Sequence, residues 1–197
     1  MLGKSHVTVN VCTFITLSNS TAMITKAYKG AGSTQISNAL TSAASYFQHT
    51  EPLNKYFFVG LSFVFFILGS LLPDIDCPTS TLGRIIYVPV EHRTWTHTIW
   101  FVIAFGIGSI WFRPLIWLAL GFFLHLFWDN FSRTGICFIY PIIKKRKHHP
   151  LKLYKSGSVS ELVVVGCVFG FTCLSVFGIF YFGVAETALS YLTLGLF

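Results

Sequence analysis

The chain has 197 residues, 53% of them hydrophobic and only 11% charged, against about a quarter charged in an ordinary soluble domain. Fourteen Lys and Arg against seven Asp and Glu give a net charge of +7, and the densest cationic stretch is one short run, which in an apolar chain reads as a membrane-side cluster before a nucleic-acid site. The five cysteines, at 12, 77, 137, 167 and 173, have no CxxC spacing and no even framework, which argues against a structural zinc finger or a disulfide scaffold.

These limits predict an all-α integral membrane protein. It is a helical bundle of about four to five transmembrane helices, forming a single transmembrane domain over residues 1–197.

The first expected span covers about 6–27. It is apolar over Val7–Leu17 and then flecked with Ser, Thr and Asn. It lacks a basic stretch followed by a cleavage site, so it is read as a span and not as a removed signal. A helix lying partly buried against the others is its rival. Residues 28–55 are read as a polar loop, with a short helix near Ser37–Phe47.

The second span, 56–72, stops at Pro73. The third and fourth, 95–112 and 114–131, form a hairpin broken at Arg113-Pro114. A basic loop, 132–161, carries the KKRKHH run from Lys144 to His149, and the last span is 162–182. That final run is long enough for a hydrocarbon core about 30 Å thick. Trp95, Trp100, Trp111 and Trp128 near the span ends fit interfacial anchors.

Five spans sort the cations unevenly. Lys4, Arg84, Arg93, Arg133, Lys144, Lys145, Arg146, Lys147, Lys152 and Lys155 fall on one side, and Lys26, Lys29, Lys55 and Arg113 on the other. The larger group marks the cytoplasmic face. The expected partners are therefore the lipid bilayer and an anionic lipid or phosphoester substrate, with no nucleic acid.

The same assignment puts His6, Asp74, Asp76, His92, His97, His125 and Asp129 at the cytoplasmic ends of their spans. Ionisable groups near a bilayer core are costly and are functional candidates by default. His125 and Asp129, at i and i+4, share one helix face and can hold one ion; the competing reading is an isolated polar pair. Asn130 follows and can orient a ligand or a substrate.

Asp74 and Asp76 flank one residue in a loop after Pro73. They can bind the same or adjacent ions, or simply be solvated acids. Ser80 is read as capping a following helix. Cys77, beside Asp76, is a weaker ligand candidate.

His92 and His97 lie five apart, about 140° round a straight helix, so they share a site only if His92 precedes the helix. Arg93 is the natural clamp for an anionic group, or else an ordinary surface arginine. Thr134-Gly135 reads as a turn that returns the chain across the site mouth. Glu161 is a weaker base or ligand, His148 and His149 within the basic run are read as solvated, and His49, on the opposite side, as unrelated to the site.

Imidazole and carboxylate together suit a divalent metal ion, Zn first and Mn or Mg next, with one or two ions held.

The segments His6, LPDID at 72–76 with Ser80, HRTWTH at 92–97, HLFWDNFSRTG at 125–135, YP at 140–141 and KSGSVSE at 155–161 come in an order that resembles the bacterial family of membrane-bound metal-dependent hydrolases that includes the inner-membrane protein YdjM. The resemblance covers most of the chain, with a long polar insertion at 28–55 as its departure. It implies an inner-membrane protein of several helices with metal ligands at the seven positions named.

The expected function is thus a hydrolase acting at the cytoplasmic membrane face on a phosphoester such as a phospholipid. His92 and His6 would complete the metal shell or shuttle a proton. A transporter or ion-binding protein, and a non-catalytic protein whose polar clusters lock helices together, are the competing readings. The ligands gather at one face, not at the midplane where carriers bind, and no inverted repeat is visible.

Overall fold

The computed structural model describes residues 3–30, 52–145 and 151–194. Among these residues the chain is all-α. Its helices are α1 (Gly3–Gly30), α2 (Pro52–Leu71), α3 (Ile99–Gly108), α4 (Leu115–Asn130) and α5 (Val159–Leu194). Two 3₁₀ turns, Leu72–Asp76 and Trp95–His97, stand between α2 and α3. The one β-type pairing among the described residues is an isolated parallel bridge between Ser132 and Tyr154.

The chain divides into two compact units, Met1–Asn10 with Thr50–Gly166, and Val11–His49 with Cys167–Phe197. In the first unit α4 lies against both α2 and α3. The approach of α2 to α4 depends on two glycines. A Cβ added at Gly69 would stand 2.1 Å from the Leu118 carbonyl oxygen, and one at Gly121 would stand 2.2 Å from that of Phe66. Small residues of this kind let helix backbones approach closely.

Asn10 closes the same seam. Its Nδ2 donates to Ser70 Oγ at 3.0 Å and to the Gly121 carbonyl at 3.3 Å. Phe122, Leu126 and Ile136 form a buried apolar cluster, with Leu72, Val102, Phe105 and Phe138 packed on it. In the second unit the Thr172 hydroxyl lies 3.1 Å from the Cys12 carbonyl, 2.9 Å from that of Val168 and 2.9 Å from the Thr16 hydroxyl. These are polar locks between otherwise apolar helices.

One described stretch, Val159–Gly178 within α5, is long and apolar enough to cross a membrane, and it faces mostly outward; Ile99–Gly108 and Leu115–Asn130 are apolar but shorter. The expected span 95–112 is broken up accordingly. It consists of a 3₁₀ turn, the ten-residue α3 and a run of turns before Pro114. Ten residues make a helix about 15 Å long, half the thickness of a hydrocarbon core.

The breaks have local causes. Thr98 is extended and separates the 3₁₀ turn from α3, while Arg113-Pro114 ends the hairpin tip as its sequence suggested. Of the expected polar loop, residues 28–30 belong to α1 and 52–55 to α2. The helix expected near 37–47, His49, and Arg146 to His149 of the basic run lie outside the described residues.

Candidate metal centre

Five of the seven predicted ligands meet in one buried cluster. α1 delivers His6, the first 3₁₀ turn Asp74, the second His97, and α4 both His125 and Asp129; none is more than 5% exposed. The 3₁₀ geometry of Leu72–Asp76 follows from Pro73, which suits the first turn of a helix because it has no N–H to donate. That tight turn folds Asp74 back under α4.

Four donor atoms form the centre. His97 Nε2 lies 3.7 Å from Asp74 Oδ1 and 3.5 Å from Asp129 Oδ2. His125 Nε2 lies 3.6 Å and 3.8 Å from the same two oxygens. These separations exceed a hydrogen bond, and both nitrogens are buried without a hydrogen-bond partner. Donors with such edges surround a point about 2.2 Å from each if tetrahedral, and about 2.6 Å if coplanar, close to the 2.0–2.6 Å bonds of Zn or Ca.

The opposite ring nitrogens fix which atoms face inward. His125 Nδ1 donates to the Ser70 carbonyl at 2.8 Å. The Thr96 hydroxyl donates to Asp76 Oδ2, so at 2.9 Å it accepts from His97 Nδ1. Both imidazoles are thereby held as tautomers with a basic Nε2, the arrangement by which metal-binding histidines are oriented.

His6 stacks on His125 with ring centroids 3.7 Å apart and a 16° interplanar angle. Its Nε2 lies 3.1 Å from Asp129 Oδ1 but out of line for a hydrogen bond. Burial works against charge on Asp74, but the facing His125, with His97 and His6, outweighs it when protonated and holds that carboxyl well below the usual carboxylate range.

Asp76 is buried one residue-pair away and serves the neighbouring groups. It accepts His92 Nδ1 at 2.7 Å, the Arg93 backbone N–H at 3.2 Å and the Thr96 hydroxyl. His92 precedes the 3₁₀ turn, as the spacing argument required, and its ring meets that of His97 edge-on at 5.3 Å. At 41% side-chain exposure it is the open member of the histidine set.

Arg93 differs from its expected use as a substrate clamp. It is buried, and its terminal nitrogens donate to Asp129, Ser132, Thr134 and Ser156. Its φ of 67° places a non-glycine residue in the left-handed region.

Asn130 is half-buried at the end of α4, and among the described residues no hydrogen bond joins its amide to the cluster. Ser80 caps no helix. Its hydroxyl donates to the Asp74 carbonyl at 2.7 Å and accepts the Gly83 N–H at 2.9 Å, bracing the loop that carries Asp74. Glu161 caps α5, where its Oε2 accepts the Gly157 N–H at 2.7 Å. Gly135 has the positive φ of the expected turn, and the chain after it returns beside the second 3₁₀ turn and α3, where Ile99 N–H donates to the Phe138 carbonyl at 2.9 Å.

Tyr154 is a site residue that the sequence did not reveal. It is fully buried, and its hydroxyl donates to the Trp128 carbonyl at 2.8 Å, with Asp129 Oδ1 at 3.3 Å. Burial and the Asp129 charge push its phenol far above the ordinary range, so it remains a donor to that carboxylate. A tyrosine two residues from a Lys in a basic loop carries no pattern that signals this. Asn10 had a signal in its i+4 spacing from His6.

A family model described as YdjM inner membrane protein matches residues 1–196. The chain belongs to the YdjM inner membrane protein family. No curated protein and no solved structure matches it. Membership of an inner-membrane family is consistent with the apolar, outward-facing surface of Val159–Gly178 in α5. The buried His and Asp groups of this YdjM family member could hold a metal ion.

Proposed function

We propose that the protein is a multi-pass inner-membrane hydrolase whose metal centre faces the cytoplasm. The observation that carries the reading is that His97 Nε2 and His125 Nε2 each lie 3.5–3.8 Å from both Asp74 Oδ1 and Asp129 Oδ2, with both histidine Nδ1 atoms already bonded elsewhere. Neutral imidazole lone pairs facing carboxylate oxygens in a buried site repel one another unless a cation lies between them.

Zn is the first choice of ion for this mixed nitrogen and oxygen set, with Mn or Mg next. When bound, such an ion supplies Lewis acidity toward a scissile carbonyl or phosphoryl oxygen and a water activated near neutral pH. The protein's own groups supply the rest. Ser70 and Thr96 set the histidine tautomers, Arg93 and Tyr154 hold Asp129 in place, and Asp76 orients His92 at the open edge.

Exposed apolar residues Ile85, Ile86 and Tyr87 follow Arg84 in the loop beyond Asp76, and Ile142 precedes Lys144. Exposed apolar groups next to cations in this way suit a membrane surface and an anionic phosphoester such as a phospholipid. Spans over α1, α2, the α3–α4 hairpin and α5 would leave these loops on the cytoplasmic side.

The test is metal content and hydrolysis by detergent-purified protein against anionic phospholipid in mixed micelles. The wild type should carry a stoichiometric ion and release a hydrolysis product, and His125→Ala should lose both. Wild type without bound metal, or activity unchanged in His125→Ala, would sink the reading. The closed burial of His6, His97 and His125 favours a second reading, an ion-binding membrane protein without catalysis. It predicts metal in the wild type and no hydrolysis.

A further inference from the structure

We infer that the centre is built for two divalent cations, one held by His6, His125 and Asp129 and the other by Asp74, His92 and His97. The inference rests on the metal reading above and extends it. Each triad offers one donor per residue, and within each the donor atoms lie within 4.8 Å of one another.

Donor number is the first argument. One tetrahedral ion takes four donors, and a catalytic one takes three from the protein and leaves a position open. Six side chains converge here. Four would close a single ion completely and leave His6 and His92 without purpose. Yet His6 is wholly buried, with neither ring nitrogen hydrogen-bonded, next to the Asp129 carboxylate. Burying an imidazole in that state is costly unless something binds it. Divided three and three, every histidine has a use and each ion keeps an open position.

The geometry between the triads is the second argument. Each carboxylate reaches the other triad's histidine: Asp129 Oδ2 lies 3.5 Å from His97 Nε2, and Asp74 Oδ1 lies 3.6 Å from His125 Nε2. Each carboxylate is therefore placed between histidines of both triads, and carboxylates are the groups in the set with two ligand oxygens, able to bridge a pair of ions. Paired catalytic ions about 3.5–4 Å apart need such bridges.

Charge is the third. Asp74, Asp76 and Asp129 against Arg93, with neutral histidines, leave the cluster at −2. One divalent ion brings it to zero. Two would leave it at +2, a centre that would attract an anionic phosphoester and could stabilise charge on an attacking water and on the ester's leaving oxygen.

The experiment titrates metal-free wild type, in detergent or nanodiscs, with Mn²⁺ followed by electron paramagnetic resonance, alongside zinc content by elemental analysis. Two equivalents and an exchange-coupled spectrum are expected. His92→Ala changes a half-exposed side chain and should keep one equivalent with an isolated-ion spectrum. His6→Asn should lose the other equivalent, with folding checked by circular dichroism. Saturation of the wild type at one equivalent, or retention of both ions in His92→Ala, overturns the two-ion inference. One equivalent with hydrolysis intact overturns it while leaving the hydrolase standing, whereas no bound metal removes both.

Discussion

Arg93 links the buried cluster to the loops around it. Its guanidinium joins Asp129 on α4 to Ser132 and Thr134 just beyond that helix and to Ser156 ahead of α5. A left-handed φ in a side-chain-bearing residue costs on the order of 1–2 kcal/mol, and such strain survives where the surroundings over-determine it. Arg93→Ala should leave Asp129 buried and unbalanced, costing about 3–5 kcal/mol of stability. It should also weaken metal binding by about 10–100-fold, as loss of a ligand's supporting bond does elsewhere. Arg93→Lys keeps the charge but not the planar fork and should fall between. Competition against a chromogenic chelator reads the affinities, and an Arg93→Lys variant indistinguishable from wild type would show that charge alone suffices.

The histidines also show how far residue-level reading went. His125 and Asp129 were legible because i, i+4 spacing puts them on one face whatever the helix packs against. His92 before a helix and His97 inside its first turns was a conditional expectation, and the 3₁₀ turn at Trp95–His97 meets the condition. The division of labour between Asp74 and Asp76 was not legible. Two carboxylates one residue apart look alike in sequence, and only the turn decides that Asp74 faces His97 and His125 while Asp76 faces His92, Arg93 N–H and Thr96.

At the scale of elements, the α2–α4 seam positions the centre. Ser70 on α2 supplies the carbonyl that holds His125, so any separation of the two helices pulls a ligand's anchor away. Gly121→Ala would set a methyl 2.2 Å from the Phe66 carbonyl, and backbone cannot yield as a side chain would. The expected outcome is a loss of about 1–3 kcal/mol, read as a lower unfolding midpoint in detergent, with weaker metal binding alongside. Gly106→Ala, on α3, meets nothing within 4 Å and is the control. Equal behaviour of the two variants would mean that the close approach does not matter.

At the scale of the whole molecule, the proposed topology makes a prediction about sidedness. In inside-out vesicles, a cysteine introduced at Arg84 or Lys152 should react with a membrane-impermeant maleimide, and one at Arg113 should react only from the opposite side. The native cysteines are replaced first, because Cys77 is partly exposed beside the site. Labelling of positions 84 and 113 from the same side would remove the multi-pass arrangement in which the centre faces the cytoplasm.

The sequence by itself indicated the class of molecule and singled out His and Asp residues of which five gather in the buried cluster. Both depend on quantities that do not need the fold: apolar content, run length, the cost of placing acids and imidazoles beside a bilayer, and helical periodicity. It also anticipated the hairpin at Arg113-Pro114, since proline restricts its own neighbourhood. Only the tertiary structure decided how the residues divide their work. Arg93 turned inward to Asp129, Ser80 became a loop brace, Glu161 capped a helix, and Tyr154 came to Asp129 from 25 residues away. These outcomes depend on which backbone carbonyls and hydroxyls reach a given side chain, and chain spacing does not encode contacts made between separate segments.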